Sequence, residues 1–246
     1  MVRRSQVIDL HEKALKYSRM HQDMVSDYDI VSIQMGNVRE GNMVLAVGVG
    51  TRNLAPYLTR VWNVFSISVD ASERVLETVN IRTHEKGDPR RAFLLRASTN
   101  CLPIREKQFD AVISIFAIND LSADEILRVF QEFARVLTEE GRFVLVEDWA
   151  FDPKSQAQQT LLELRSLFMK RMGRRQPQLN HREYADILQK AGFEIEQKQF
   201  LPKEISLREF DILKGEKAKE LLQAVDECDP SQLHTMLTVI GSRVKR

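Results

Sequence analysis

The stretch that decides the fold is VLAVGVGTRN, residues 44–53, where a short apolar run ends at two closely spaced glycines. The run Met43–Val47 is predicted to be a buried strand, and a helix is predicted to begin at Thr51. Gly48 and Gly50 would let the backbone turn sharply between them and leave main chain open to a ligand. On its own this turn is weak evidence, because any α/β protein can use a tight strand-to-helix connection.

The same rhythm of apolar runs and amphipathic stretches continues to about residue 150. Further strands are predicted at 64–69, 92–96, 109–116 and 142–146. Helices are predicted from the N-cap residue Ser72 to about 82 and from about 123 to 137, the second closed by Glu139-Glu140-Gly141. This pattern predicts a doubly wound α/β fold whose mostly parallel sheet is covered on both faces.

The rhythm changes after residue 150. Helices are predicted at 155–172 and 182–191, a strand at 193–199, a charged helical insertion at 206–227 and a last strand at 235–241. Two closing strands without a tight helical crossover favour an antiparallel pair at one edge. We therefore predict one domain over residues 1–246, with a seven-stranded sheet, an antiparallel last strand, and helical cap elements at 1–40 and 150–182.

Net charge, cysteine count and hydropathy exclude several classes of partner. The 246 residues carry 36 Lys and Arg against 35 Asp and Glu, so the net charge of +1 does not favour nucleic acid or an anionic membrane. Two cysteines cannot form a disulfide framework, and no Cys/His cluster suggests a metal site. No apolar stretch reaches the roughly 18–20 residues of a membrane span, and the charged start lacks a signal-peptide pattern. We expect a cytoplasmic protein.

Asp70 is the second feature of the predicted site. Open parallel sheets bind ligands beyond the carboxyl ends of their strands, where the strand order reverses. Asp70 ends the second predicted strand, twenty residues after Gly50, and could accept both hydroxyl hydrogens of a ribose. Alone it could equally be a helix-capping or solvated carboxylate. Together with the glycine turn it favours a nucleotide ligand, although an NAD enzyme would show the same acid.

Four later segments distinguish the families, namely LPI (102–104), FDAVIS (109–114), FARVL (133–137) and GRFVLV (141–146). With these motifs in register, residues 40–150 resemble the class I S-adenosylmethionine methyltransferases of the UbiE-like small-molecule branch. The resemblance implies S-adenosylmethionine as cofactor and a small-molecule acceptor. The cofactor-site residues that it implies are Ala46, Gly48, Gly50, Asp70, Ala71, Ser98, Thr99, Ser114 and Ile115. Gly48 and Gly50 would pass under the methionine part and the adenosine, and Asp70 would hold the ribose. Ala71, Ser98 and Thr99 would lie near the adenine, with the end of the fourth strand beside the transferring methyl group.

The sequence departs from this family at three positions. Ala46 stands where the family usually has an acid, Arg52 where it has a third glycine, and Ser98 where an acid often accepts from the adenine amino group. Loss of a carboxylate contact removes roughly 1.5–3 kcal/mol. A catalytically inactive methyltransferase-fold binding or scaffold protein is therefore the alternative. An NAD(P)-dependent oxidoreductase is a weaker one, because Asn53 breaks the GxGxxG pattern.

Asp148, His181 and Tyr184 are the candidate bases. Glu147 and Asp148 end a predicted strand at the carboxyl edge, where they could line the pocket. Positioning can supply much of the acceleration of methyl transfer, so a base is not obligatory. His181 and Tyr184 could equally be ordinary helix residues. A basic run, Arg165, Lys170, Arg171, Arg174 and Arg175, is either a solvated helix face or a clamp for an acidic or phosphorylated acceptor, with RNA a weaker possibility. An apolar stripe at helical spacing, Leu161, Leu164, Phe168 and Met172, is predicted to be core, with a substrate pocket as the alternative.

Overall fold

The computed structural model describes residues 25–48, 54–118, 121–148, 155–171, 179–204, 215–227 and 234–245. The strands in these ranges are β1 (Met43–Val47), β2 (Phe65–Asp70), β3 (Ala92–Arg96), β4 (Phe109–Ile115), β5 (Leu137–Asp148), β6 (Phe193–Glu204) and β7 (His234–Val244). The helices in these ranges are α1 (Asp27–Met35), α2 (Leu54–Val61), α3 (Glu73–Lys86), α4 (Ala123–Val136), α5 (Gln156–Arg171), α6 (His181–Lys190) and α7 (Glu216–Asp226).

The strands form one seven-stranded sheet in the order β3-β2-β1-β4-β5-β7-β6. β1 to β5 pair in parallel, whereas β7 lies between β5 and β6 and is antiparallel to both. The predicted α/β fold with an antiparallel last strand is confirmed. The strand order reverses between β1 and β4, so the carboxyl ends of these strands border the crevice where such sheets bind ligands.

Each face of the sheet is covered by helices. We call the first face the side of Ala46, Ile113 and Val146, which pack in one cluster with buried residues of α1 and α2. The second face is the side of Val47, Val112 and Phe143, which pack with α4 and α6. Four phenylalanines, with ring centroids 5.1–6.5 Å apart, fill the second face: Phe130, Phe133, Phe143 and Phe193. Continuous apolar strands therefore arise because both sides of the sheet are buried.

Local sequence sets where three helices begin. The Ser72 hydroxyl accepts a hydrogen bond from the Val75 N–H at 3.4 Å, which confirms its predicted role as N-cap of α3. Ser122 and Asn180 begin α4 and α6 with capping boxes, in which a glutamate three residues later returns a bond to the cap N–H. These bonds satisfy amide groups that a helix start leaves without a partner.

The prediction that Glu139-Glu140-Gly141 closes α4 was wrong, because β5 begins at Leu137 directly after the helix. The ladder with β4 pairs Phe109 with Leu137 and then Ala111 with Arg142, so residues 138–141 bulge out of it. A Cβ on Gly141 would lie 2.9 Å from the Phe109 carbonyl oxygen. The polar run thus marks an irregularity inside a longer strand.

The closing strands are also longer than predicted. The β6–β7 ladder runs from Phe193 opposite Val244 to Glu204 opposite His234. β6 continues through Pro202, and a proline in a sequence argues against a strand except at the edge of a sheet. Of the predicted insertion at 206–227, the structure describes α7, and residues 205–214 lie outside the described part of the chain.

The predicted cap segments are described in part. Residues 1–24, 149–154 and 172–178 lie outside the described residues. α1 packs on the first face and buries Ile30 and Ile33, so this piece of the 1–40 segment belongs to the core. α5 packs against α7, and Leu161 and Leu164 are fully buried, as predicted for core residues. The capping role itself stays a prediction. No helix within the described ranges is long and apolar enough to cross a membrane.

Candidate functional site

The glycine turn after β1 is held against the chain that leaves β4. Gly48 has φ +67°, a conformation that side chains rarely adopt. A Cβ built on it would lie 2.3 Å from the Ala117 Cβ and 2.9 Å from the Ile115 carbonyl oxygen. Glycine is therefore required here both by backbone angle and by space. Gly50 and Arg52 lie outside the described residues.

Asp70 lies at the carboxyl end of β2, next to this turn. Its Oδ1 accepts a hydrogen bond from the Ser72 N–H at 2.8 Å, which orients the carboxylate at the start of α3. Among the described residues, Oδ2 accepts no hydrogen bond. The side chain is half-buried, so one oxygen is anchored and the other is available to a ligand. This is the arrangement expected of a ribose acceptor.

The predicted adenine-side residues meet Asp70 across the strand ends. The Ala97 N–H donates to the Asp70 carbonyl oxygen at 3.3 Å and so joins the chain after β3 to the end of β2. Ser98 is exposed, and its hydroxyl donates to Asn100 Oδ1 at 2.8 Å. Ala71 is exposed and Thr99 half-buried. The structure thus brings Asp70, Ala71, Ser98 and Thr99 to one edge.

Three other predicted cofactor residues lie inside the sheet. Ala46, Ser114 and Ile115 are at most 1% exposed. Ala46 and Ile115 belong to the first-face core. The Ser114 hydroxyl is buried, and it has no hydrogen-bond partner among the described residues. Packing in the core accounts for Ala46 and Ile115. A role of the three residues in cofactor binding stays a prediction.

The candidate bases lie on two elements, Asp148 on β5 and both His181 and Tyr184 on α6. Asp148 ends β5, where its backbone pairs with Leu237, and its side chain lies outside the described set. Tyr184 is 1% exposed in the second-face core, a placement that favours a packing role. His181 begins α6, and its ring centroid lies 5.2 Å from that of Phe200 on β6.

His181 differs electrostatically from an exposed histidine. Burial lowers its pKa from the ordinary value of 6.5, and the positive charges of Lys198 and Arg182 lower it further. The neutral imidazole is therefore favoured near neutral pH and can accept a proton.

Two contacts at this edge were not predicted from the sequence. Glu147, at the end of β5, is fully buried, and its Oε1 accepts from the Ile118 N–H at 3.1 Å. Phe116 has φ +52° directly after β4, and its ring lies 5.6 Å from that of Tyr28 on α1, edge to face. The acid that ends the apolar run 143–146 was the only sequence signal for Glu147. Tyr28 and Phe116 are far apart in the chain and gave none.

A glycine turn at the point of strand reversal, beside an acid that ends the adjacent strand, defines a Rossmann-like α/β protein. Residues 45–145 match the family model described as a methyltransferase domain. Together with the fold, this match confirms the resemblance to the class I S-adenosylmethionine-dependent methyltransferases.

Two curated relatives agree with the family match. The uncharacterized methyltransferase YcgJ of Bacillus subtilis is 29% identical over 122 residues, which are 48% of this chain and 45% of YcgJ. UbiE, the ubiquinone/menaquinone biosynthesis C-methyltransferase of Pseudomonas entomophila, is 25% identical over 154 residues, 55% of this chain and 59% of UbiE. The match thus spans about half the length of these curated relatives.

Solved structures show the same fold over more of the chain. The crystal structure of YcgJ has a TM-score of 0.66 at 18% identity and covers 89% of this chain and 97% of that one. Phosphoethanolamine N-methyltransferase 2 of Haemonchus contortus, in complex with phosphomonomethylethanolamine and S-adenosylhomocysteine, has a TM-score of 0.65 at 13% identity. That match covers 89% of this chain and 53% of the Haemonchus chain. At these identities the likeness concerns the fold.

Proposed function

We propose that this protein is an S-adenosylmethionine-dependent methyltransferase that acts on a small-molecule acceptor. The observation that carries the proposal is that Gly48 and Asp70 lie at neighbouring strand ends, where the strand order reverses. One oxygen of Asp70 is anchored by Ser72, and the other accepts no hydrogen bond from described residues. The match of residues 45–145 to methyltransferase domains supports the same reading of this edge.

The residues present fit the cofactor in part. Asp70 would accept the ribose hydroxyl hydrogens, Ala71 and Ser98 would border the adenine, and the main chain at Gly48 would face the methionine part. Ala46 supplies no carboxylate to the cofactor's ammonium group. When bound, S-adenosylmethionine supplies an electrophilic methyl group on a sulfonium. The protein's task is then to hold an acceptor atom in line with that group and to exclude water.

We further propose that the acceptor is acidic or phosphorylated. Arg165 and Lys170 lie on α5, and the other cations of the predicted clamp lie outside the described side chains. Arg165 is half-buried and Lys170 exposed. A fold neighbour, the Haemonchus contortus enzyme, is in complex with phosphomonomethylethanolamine. Cations on this helix would hold such a group through charge-assisted hydrogen bonds.

Calorimetry and thermal shift with S-adenosylmethionine, S-adenosylhomocysteine and NAD test the cofactor. We expect the first two ligands to bind, with about 2.7 kcal/mol of added stability at 100 times the dissociation constant, and NAD to give no shift. No stabilisation by either adenosyl ligand would favour the inactive, scaffold alternative. A shift with NAD alone would favour an oxidoreductase.

Release of S-adenosylhomocysteine in the presence of candidate acceptors tests the substrate class. Each phosphorylated or carboxylated compound is paired with its neutral parent, so that the charge is the only large difference. We expect turnover with the anionic member and little with the neutral one. The reverse preference would contradict the acceptor proposal and leave the cofactor proposal standing.

A further inference from the structure

Glu147 is a buried carboxylate whose bond joins β5 to the chain after β4. It is fully buried at the end of β5, after the buried residues Leu145 and Val146. Burying a carboxylate is costly unless hydrogen bonds or ion pairs compensate. Its Oε1 accepts the Ile118 N–H at 3.1 Å. This bond indicates that the Glu147 side chain stabilises the segment that follows β4.

That chain, residues 116–118, is here called the β4 loop. On one side β5 holds it, because the Phe116 N–H donates to the Val146 carbonyl oxygen at 2.9 Å and the Ile118 N–H donates to Glu147. On the other side Ala117 presses against Gly48. The left-handed backbone at Phe116 persists only where the surroundings restrain it. The bond to Glu147 is one of those restraints.

We propose that Glu147 is a positioning residue for the cofactor site, since its bond to Ile118 holds the β4 loop against the glycine turn of β1. The inference rests on the proposed function in one respect, namely that the cofactor lies against this turn. Glu147 acts through the main chain of Ile118 and needs no contact with the cofactor. Through this bond it provides an oxygen acceptor for the Ile118 N–H.

Two substitutions separate the acceptor from the charge. E147Q keeps a side-chain oxygen that can accept the Ile118 N–H, whereas E147L removes it at similar volume. E147M, with a flexible side chain that adapts to irregular spaces, replaces E147L should that variant not fold. F143L is the matched control, because Phe143 is buried on the same strand and face but lies farther from the carboxyl edge.

Amide hydrogen exchange at Ile118 without ligand, and calorimetry with S-adenosylhomocysteine, are the measurements. For E147L we expect Ile118 exchange faster by about ten-fold or more. Its affinity for S-adenosylhomocysteine should fall by about ten-fold or more. E147Q should stay within about three-fold of the wild type in both measurements. F143L should lower the Tm without moving either.

Unchanged Ile118 exchange in E147L would overturn the proposal. Equal losses of affinity in E147Q and E147L would also overturn it, because the charge and not the acceptor would then matter. If the wild type binds no S-adenosylhomocysteine, the proposed function fails. The exchange measurement then decides the role of Glu147 by itself.

Discussion

Gly48 at the end of β1 and Ala117 after β4 approach so closely that a Cβ at position 48 would lie 2.3 Å from the Ala117 Cβ. The contact ties together the two strand ends that border the predicted cofactor site. Space and backbone angle therefore both restrict this position to glycine.

G48A should destabilise the protein by more than strain alone. The left-handed angle costs about 1–2 kcal/mol, and overpacking adds about 1–3 kcal/mol. G41A is the matched control, because Gly41 has φ +81° and nothing within 4 Å of an added Cβ. Urea denaturation measures both variants. Equal losses in the free energy of unfolding would mean that Ala117 shifts to make room for the new methyl group.

Asp70→Ala should weaken binding of S-adenosylhomocysteine by about 10- to 100-fold, since a hydrogen bond to a charged group contributes about 1.5–3 kcal/mol. Calorimetry is the measurement. Asp186→Ala is the control, because Asp186 is an exposed carboxylate on α6 at another part of the molecule. Unchanged affinity in the Asp70 variant would remove this residue from the site.

Ser114→Ala and Ser242→Ala should change stability in opposite directions. Both serines are buried on strands, but the Ser242 hydroxyl donates to the Phe143 carbonyl oxygen at 3.2 Å, whereas that of Ser114 has no partner among the described residues. Removing a buried polar group without a partner gains about 1 kcal/mol, and removing a bonded one loses about as much. Chemical denaturation tests this. A loss of stability in S114A would show that its hydroxyl is satisfied in solution.

Glu132 should make stability depend on pH below its ordinary pKa of 4.5. Its side-chain bond to Arg135 is the largest cause that lowers its pKa, and the Leu102 N–H also donates to it. A lowered carboxyl pKa gives stability that is full above the unfolded value and is lost as the pH falls through the folded one. This network anchors the chain after β3 that leads from Ser98.

The urea midpoints of wild type and E132Q, followed from pH 7 to acid, measure this effect. Their difference should shrink as the pH falls below about 4.5. E73Q is the control, because Glu73 pairs with Arg96 on the surface with both side chains more than half exposed. A wild-type advantage over E132Q that persists in acid would contradict the assignment.

The fold could be predicted because burial in the sheet and helix capping both appear as short patterns in the sequence. The apolar run of β1 and residues 143–146 of β5 are buried on both faces of the sheet, so each could be recognised as an unbroken strand. Ser72 could be identified as a cap because its role depends on residues within one turn. Asp70 followed from its spacing to the glycine turn.

The rest of the edge depends on distant parts of the chain. The burial of Glu147 and its bond to Ile118 join residues 29 apart in sequence, and no local pattern reports such a contact. Tyr28 meets Phe116 only after α1 packs on the sheet. The bulge at 138–141 was hidden because a polar run with a glycine also marks a helix end. Sequence periodicity predicts which face of a helix or strand is buried, but it does not predict which strand ends contact one another.

The insertion of β7 between β5 and β6 has a consequence for how the molecule assembles. Ser242 meets Phe143 across 99 positions of the chain, and within the described strands β6 hydrogen-bonds to the sheet through β7. Closing so long a loop is slow compared with forming the neighbouring parallel units. During synthesis on the ribosome, β6 must wait for residues 234–244 to emerge before it can join the rest, and until then its open edge is a natural target for chaperones.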